Sequence, residues 1–294
     1  MDFGLKGKVA LVGGASRGIG KAVAMGLAAE GSRVAICARN EQPLLDAADE
    51  IRRATGIDVL AVPCDMARAE DIERFVAATV DHFGRLDIVV NNAGGPPLGA
   101  FERHSDEAWQ AALDQNFLSA VRTIRATLPH LRKQGGGRII NITSYAVKQP
   151  LDGLILSNSA RLAVVGLAKT LSRELGPDNI LVNNVCPGPT LTARMESLMR
   201  SRAENEGRSY EEVAAEENKR IPLGHMGTAE DVAALVVFLA SEPARHITGT
   251  TIQVDGGVTA SILWLWERAE KEHKTLTGRQ ANYIIKPQLV SALV

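Results

Sequence analysis

The sequence predicts one α/β domain, a doubly wound parallel sheet of about seven strands with helices on both faces. Three observations lead there. Short β-branched runs alternate with longer helical stretches along most of the chain. The runs are apolar at successive positions, as strands buried on both faces are. A glycine-rich turn joins the first run to the first helical stretch. The chain has 294 residues, but no internal repeat and no low-complexity linker divides it. A single domain over residues 1–262, followed by a C-terminal extension over 263–294, is therefore expected.

The strands are read in order as Lys8–Gly13, Arg33–Ala38, Asp58–Pro63, Leu86–Asn91, Gly137–Thr143, Asn179–Cys186 and Thr251–Val254. The helices between them are Ile19–Glu30, Gln42–Thr55, Ala69–Phe83, Asp106–Gln134, Gly153–Leu175 and Ala229–Ala240. Gly31 stops the first helix, because glycine accepts the left-handed geometry at a helix end. Thr228 is placed to cap the last, with Asp231 three residues on where a capping box usually has Glu or Gln. Arg194–Arg220 stands apart: 13 of its 27 residues are charged, six basic and seven acidic, so a helical excursion with a solvated face is expected there.

Charge and cysteine content narrow the function. Lys plus Arg number 33 and Asp plus Glu 34, leaving a net charge of −1 and no basic excess to neutralise nucleic-acid phosphates or to favour anionic membranes. No apolar run approaches the ~18 residues of a spanning helix. Cys37, Cys64 and Cys186 are far apart and odd in number, which reads as reduced thiols in a cytoplasmic protein. The six histidines show no metal-ligand spacing, so no metal site is expected.

The first chemistry-bearing motif is Gly13-Gly14-Ala15-Ser16-Arg17-Gly18-Ile19-Gly20. Gly14, Gly18 and Gly20 allow a tight turn and close approach to a pyrophosphate, and the helix from Ile19 aims its N-terminal N–H groups at the anion. The position after a strand and before a helix is the context this reading requires. The second strand ends in Cys37-Ala38-Arg39-Asn40, without the acidic residue that would hold an adenosine ribose diol. Arg39 and Arg17 instead offer two guanidiniums to a 2′-phosphate, which favours NADP(H) over NAD(H). The plainer reading of Arg39 is a solvated surface arginine.

The spacing Gly14-x-x-x-Gly18-x-Gly20 belongs to an ordered series: Asp65 after the third strand, Asn91-Asn92-Ala93-Gly94 after the fourth, Asn116 in the long fourth helix, and Ser144 closing the fifth strand. Pro187-Gly188-Pro189-Thr190-Leu191-Thr192 and Val254-Asp255-Gly256-Gly257 complete it. In this series the chain resembles the short-chain dehydrogenase/reductase superfamily, and within it the 3-oxoacyl-ACP reductase-like oxidoreductases, from Gly4 to about Ser261. The resemblance implies a Rossmann-type fold and a set of roles. Asp65 and Met66 hydrogen-bond the adenine. Asn92, Ala93 and Gly94 lie against the adenosine ribose and support the sheet. Pro187, Gly188, Thr190 and Thr192 hold the nicotinamide and its phosphate. Ser144 hydrogen-bonds the substrate oxygen, and Asn116 kinks its helix and holds a water of a proton relay. The bland readings are a turn residue for Asn92, a helix cap for Thr192 and a strand-end hydroxyl for Ser144.

One place breaks the pattern. The family's acid is a Tyr followed four residues later by a Lys; counting thirteen from Ser144 lands on Ser157, and four further on is Arg161. Hydride transfer to a carbonyl builds negative charge on oxygen, and a phenol of pKa about 10 near a cation can protonate it. A serine is a far weaker acid, and arginine stays charged. Arg161 can still grip ribose hydroxyls and stabilise an oxyanion. Three functions follow. The chain is an NADP(H)-dependent oxidoreductase whose proton comes from Tyr145 or from water relayed by Ser157 and Asn116, or whose substrate needs little acid. Alternatively it runs lyase or isomerase chemistry on the same scaffold, or it binds nucleotide without catalysis. Tyr145 reads equally as an aromatic packed beside the fifth strand.

The resemblance also implies a homo-oligomer, dimer or tetramer. The faces Leu113-Phe117-Ala120-Ile124-Leu128 and Leu162-Val165-Leu167-Ala168-Leu171 need burial on the sheet or on a partner. Arg194–Arg220 occupies the place of the family's substrate lid. In the extension, Ile262–Lys274 reads as an amphipathic helix and Tyr283-Ile284-Ile285 as a strand, either docked on a neighbouring subunit or a free tail.

Overall fold

The computed structural model describes residues 2–261. Seven parallel strands, β1 (Val9–Val12), β2 (Arg33–Ala38), β3 (Val59–Pro63), β4 (Ile88–Asn91), β5 (Gly137–Ile142), β6 (Ile180–Pro187) and β7 (Thr251–Val254), form one sheet in the order β3-β2-β1-β4-β5-β6-β7. The order reverses beside β1, which is where sheets of this kind open a crevice at the strands' carboxyl ends. Strand side chains alternate between two apolar layers. Ala10, Val12, Val34 and Ile36 face one layer, and Val9, Leu11, Ala35 and Cys37 face the other. The first is covered by α1 (Gly18–Ala29), α2 (Glu41–Thr55) and α9 (Ala229–Ala240). The second lies under α3 (Ala69–Phe83), α5 (Ser119–Lys133) and α6 (Ile155–Glu174). The central strands β1, β4 and β6 are buried throughout, whereas the edge strands β3 and β7 are partly exposed, so burial on both faces holds for the middle of the sheet only.

Helix ends follow local chemistry. Gly31 sits at φ +83° beyond α1. The Thr228 hydroxyl accepts from Asp231 N–H at 3.2 Å while the Asp231 carboxylate accepts from Thr228 N–H at 2.7 Å, so aspartate completes the capping box. Two expected helices differ. Asp106–Gln134 is not one regular helix: α4 (Asp106–Leu113) passes through a wide π-helical turn, Asp114–Leu118, before α5. There the Asn116 amide donates to the Ala112 carbonyl at 3.2 Å and the Ser119 hydroxyl to the Gln115 carbonyl at 2.6 Å, so side chains compete for the helical ladder. The next helix begins at Ile155 rather than Gly153, because Gly153 has φ +69°.

The charged segment forms two helices, α7 (Ala193–Glu206) and α8 (Tyr210–Arg220). Met199, Ala203 and Val213 bury a small apolar contact between them. Arg202 spans to Glu206, Glu216 and Glu217 at 2.6–2.8 Å, and Arg208 reaches Glu206 and Glu216 at 2.7 Å. The expected buried face of the fourth helix is shifted: α5 buries Ala120, Thr123, Ile124, Thr127 and Leu131, leaving Leu113, Phe117 and Leu128 partly exposed. Residues Met1–Thr259 make up one compact unit. The expected helix and strand of the extension lie outside the described residues. Among the described residues no helix is long and apolar enough to cross a membrane.

Candidate active site

The glycine-rich turn leaves β1 at the switch point and is fastened from below. Gly13 N–H donates to Val90 at 3.0 Å, Ala15 N–H to Cys37 at 2.9 Å, and the Asn92 amide to the carbonyls of Gly13 and Gly14 at 3.0 and 3.2 Å. Asn92 therefore serves the turn directly, a more specific task than lying against a ribose. Gly18 has φ +56°, and a Cβ on Gly20 would stand 2.3 Å from the Gly14 carbonyl oxygen, so neither tolerates a side chain. The N-cap of α1, Arg17, makes no side-chain capping bond, and the first turn holds no acidic residue. A helix N-terminus left open in this way, lined by Ser16, Gly18, Ile19 and Gly20, suits a pyrophosphate. Arg17 and Arg39 are both exposed at this edge, free to meet a further phosphate.

The turn after β3 is closed by side-chain bonds. Asp65 accepts from Ala67 N–H at 3.0 Å and donates its own N–H to Asp71 at 2.9 Å; that bond is the main reason the Asp71 carboxyl lies below its usual range. Met66 is buried, its sulfur 3.5 Å from Cys37 Sγ and 3.8 Å from Cys64 Sγ, so it forms the floor beneath the turn. All three cysteines are free and buried. On the other flank, Gly188 N–H bonds Val254 at 2.9 Å and the Thr190 hydroxyl bonds the Gly188 carbonyl at 3.0 Å. Thr192 caps α7 by accepting from Met195 N–H at 3.3 Å, and its methyl faces Gly18. The cap and the place beside the glycine turn are compatible, because capping uses the hydroxyl's acceptor and leaves its proton.

The candidate catalytic positions Ser144, Ser157 and Arg161 lie just after β5 and in the first two turns of α6. Ser144 accepts from Ala146 N–H at 3.1 Å, which fixes its oxygen and leaves its proton to donate. Ser157 is buried one turn before Arg161 on α6. Arg161 donates from one terminal nitrogen to the carbonyls of Ile142 at 3.0 Å and Thr143 at 2.7 Å, and from the other to Ala93 at 3.5 Å. Burial first, and the charge of Arg194 next, pull its pKa down to about 10, so it remains a cation at neutral pH. Asn116 and Asn91, 7 % and 6 % exposed, each keep a side-chain oxygen with no hydrogen-bond partner among the described residues. Both line a cavity of about 10 Å³ that Arg161 also borders, room for one water. Tyr145 follows Ser144 directly; burial raises its pKa, and the charges that act on it are those of Glu217, Arg220 and Asp255.

Sequence reasoning missed two features. An amide ladder crosses four strands: Asn91 donates to Asn141 at 2.8 Å, Asn141 to Asn184 at 2.9 Å, and Asn184 to the Thr251 hydroxyl at 3.0 Å. The polar residues near the ends of otherwise apolar strands were its visible signal. The second is Arg194, at the start of α7, which donates to the carbonyls of Gly95 at 2.7 Å and Pro96 at 3.0 Å. No local pattern pointed to it.

A switch-point crevice with an uncapped helix end and a serine beside a half-buried cation suits a nucleotide-binding enzyme scaffold. The chain matches the family described as enoyl-(acyl carrier protein) reductase over residues 14–259. It is 39% identical over 249 residues to the short-chain reductase protein NovJ of Streptomyces niveus, covering 85% of this chain and 93% of that one. With a 3-oxoacyl-[acyl-carrier-protein] reductase of Synechocystis it shares 37% identity over 255 residues, 86% and 98% of the two chains. The L-sorbose reductase of Gluconobacter frateurii, solved with NADPH and L-sorbose, superposes with a TM-score of 0.86 at 34% identity, covering 89% of this chain and 100% of that one. The chain belongs to the short-chain dehydrogenase/reductase family of oxidoreductases.

Proposed function

We propose that the protein is an NADP(H)-dependent oxidoreductase that transfers hydride between the nicotinamide and a carbonyl, alcohol or related acceptor, with a water-fed proton path in place of a tyrosine. The observation that carries this reading is Arg161, a half-buried cation clamped on the backbone carbonyls beside Ser144. A reaction that builds charge on oxygen gains from a fixed cation at its side. The open α1 N-terminus, Asp65, Met66, Ala93, Gly94, Pro187, Gly188, Thr190 and Thr192 would hold the cofactor, and Arg17 and Arg39 its 2′-phosphate. The NADPH held by the sorbose reductase supports that choice. When bound, the cofactor supplies or accepts the hydride. Ser144 donates a hydrogen bond to the substrate oxygen, and Arg161 stabilises the charge that develops there. The proton comes from water held at Asn116 and Asn91 and passes Ser157. The raised pKa of Tyr145, and its position toward the lid, make it a poorer donor.

The partly exposed apolar side chains Phe117, Leu162 and Val165 suit a homo-oligomer, and the buried unpaired thiols suit a cytoplasmic setting. The reading is tested by titrating purified protein with NADPH and NADH by fluorescence, then adding ketones, conjugated acceptors and imines. Tight NADPH binding with acceptor-dependent oxidation is expected. Binding without oxidation across the panel would turn the reading toward non-redox chemistry or a binding module, and no binding of either nucleotide would remove it.

A further inference from the structure

Two guanidiniums hold the same short loop. Arg161 reaches the Ala93 carbonyl, and Arg194, from the lid, takes those of Gly95 and Pro96. Arg194 lies so flat on Gly95 that a Cβ there would stand 2.7–3.0 Å from its guanidinium atoms, so glycine at this position makes the contact possible. The two charges are close enough for Arg194 to weaken proton binding at Arg161. Among the described residues neither is paired with a carboxylate; the acceptors they use are backbone carbonyls. Arg194 spends only part of its five N–H donors on them. Two like charges holding one loop, Arg194 with donors to spare, suit an anion, which relieves the repulsion and accepts charge-assisted bonds.

We infer that Arg194 is a specificity-determining residue that receives a carboxylate carried by the substrate, so that the protein acts on keto acids, hydroxy acids or their close analogues. This rests on the proposed oxidoreductase reading, which puts the substrate beside Ser144 and Arg161. A cofactor phosphate is the other anion of the same chemistry. Arg17 and Arg39 stand at the exposed outer edge of the glycine turn, whereas Arg194 holds Gly95 and Pro96 of the loop after β4, next to Ala93 and Gly94, so NADP⁺ affinity is measured beside acid binding to separate the two anions.

Isothermal titration of the protein–NADP⁺ complex with benzoylformate and with its methyl ester separates the possibilities, since no hydride is available and binding alone is read. The acid is expected to bind at least about tenfold more tightly than the ester, the range of a charge-assisted bond. Arg194→Gln should abolish that preference while leaving NADP⁺ affinity within about twofold, and Arg194→Lys, which keeps the charge but not the planar fork, should retain part of it. An equal response to acid and ester, whether both bind or neither does, overturns the inference. So does a loss of about tenfold or more in NADP⁺ affinity in Arg194→Gln, which would make the residue a cofactor ligand. Failure of wild-type protein to bind NADP⁺ at all would instead overturn the oxidoreductase reading.

Discussion

Arg161 shows what one substitution does to a site's chemistry. A lysine can release its proton and be reloaded; a guanidinium with three carbonyl contacts stands still and keeps its charge well above neutral pH. Activity that depends on this charge should hold from neutral pH up to about 10 and decline above, as Arg161 loses its proton. Arg161→Lys starts from a lower intrinsic pKa and suffers the same desolvation, so the alkaline limb of its kcat/KM profile should move to lower pH. Ser157→Ala removes a hydroxyl of the proton path and should lower kcat by about tenfold or more. Tyr145→Phe should cost less than about threefold, well below the loss of a general acid. A larger loss in steady-state kinetics would make Tyr145 the proton donor.

At the scale of elements, the π-turn and the lid each turn sequence detail into geometry. The widened turn at Asp114–Leu118 presents Asn116 to the water-sized cavity, with its oxygen unspent. Asn116→Leu should lower kcat with little change in KM, because it empties the relay without touching bound substrate. The α7–α8 hairpin carries a network of ion pairs beside its small apolar contact. Arg202 and then Arg208 pull the Glu216 carboxyl down to about 2, so these pairs persist well into acid solution and are lost only as pH falls toward that value. They are exposed to salt, however. Raising ionic strength to about 1 M, where the Debye length falls to about 3 Å, should speed proteolysis around Gly207 at neutral pH, and Glu216→Gln should do the same at low salt.

Across the whole molecule, the sheet is the device that gathers distant residues. Register places Asn91 opposite Asn141, Asn141 opposite Asn184, and Asn184 opposite Thr251, so four strands meet in one row of amides under the site. The first two bonds are buried and the third, to Thr251, partly so, and leaving a buried donor or acceptor unmatched costs about 1–3 kcal/mol. Asn141→Val strands partners on both sides and should destabilise the protein by about 2–4 kcal/mol, read from the urea midpoint, at unchanged m-value. A smaller shift would mean that water replaces the lost bonds.

The sequence by itself determined the seven strands and most of the helices that cover them, the glycine turn, and the capping box at Thr228, and it singled out Ser144, Ser157 and Arg161 as candidate catalytic positions. These are local signals: periodicity, backbone permissiveness, and side-chain chemistry at fixed spacing. Only the tertiary structure decided how far the Asn116 turn departs from a helix, that Arg161 is spent on the carbonyls of Ile142 and Thr143, that Tyr145 stands toward the lid, and that Arg194 meets Gly95. The same holds for the amide ladder, whose members are separated by 43 to 67 positions in the chain. Such contacts depend on sheet register and on the meeting of a lid with a loop nearly a hundred residues earlier, and no periodic pattern within a segment encodes a partner outside it.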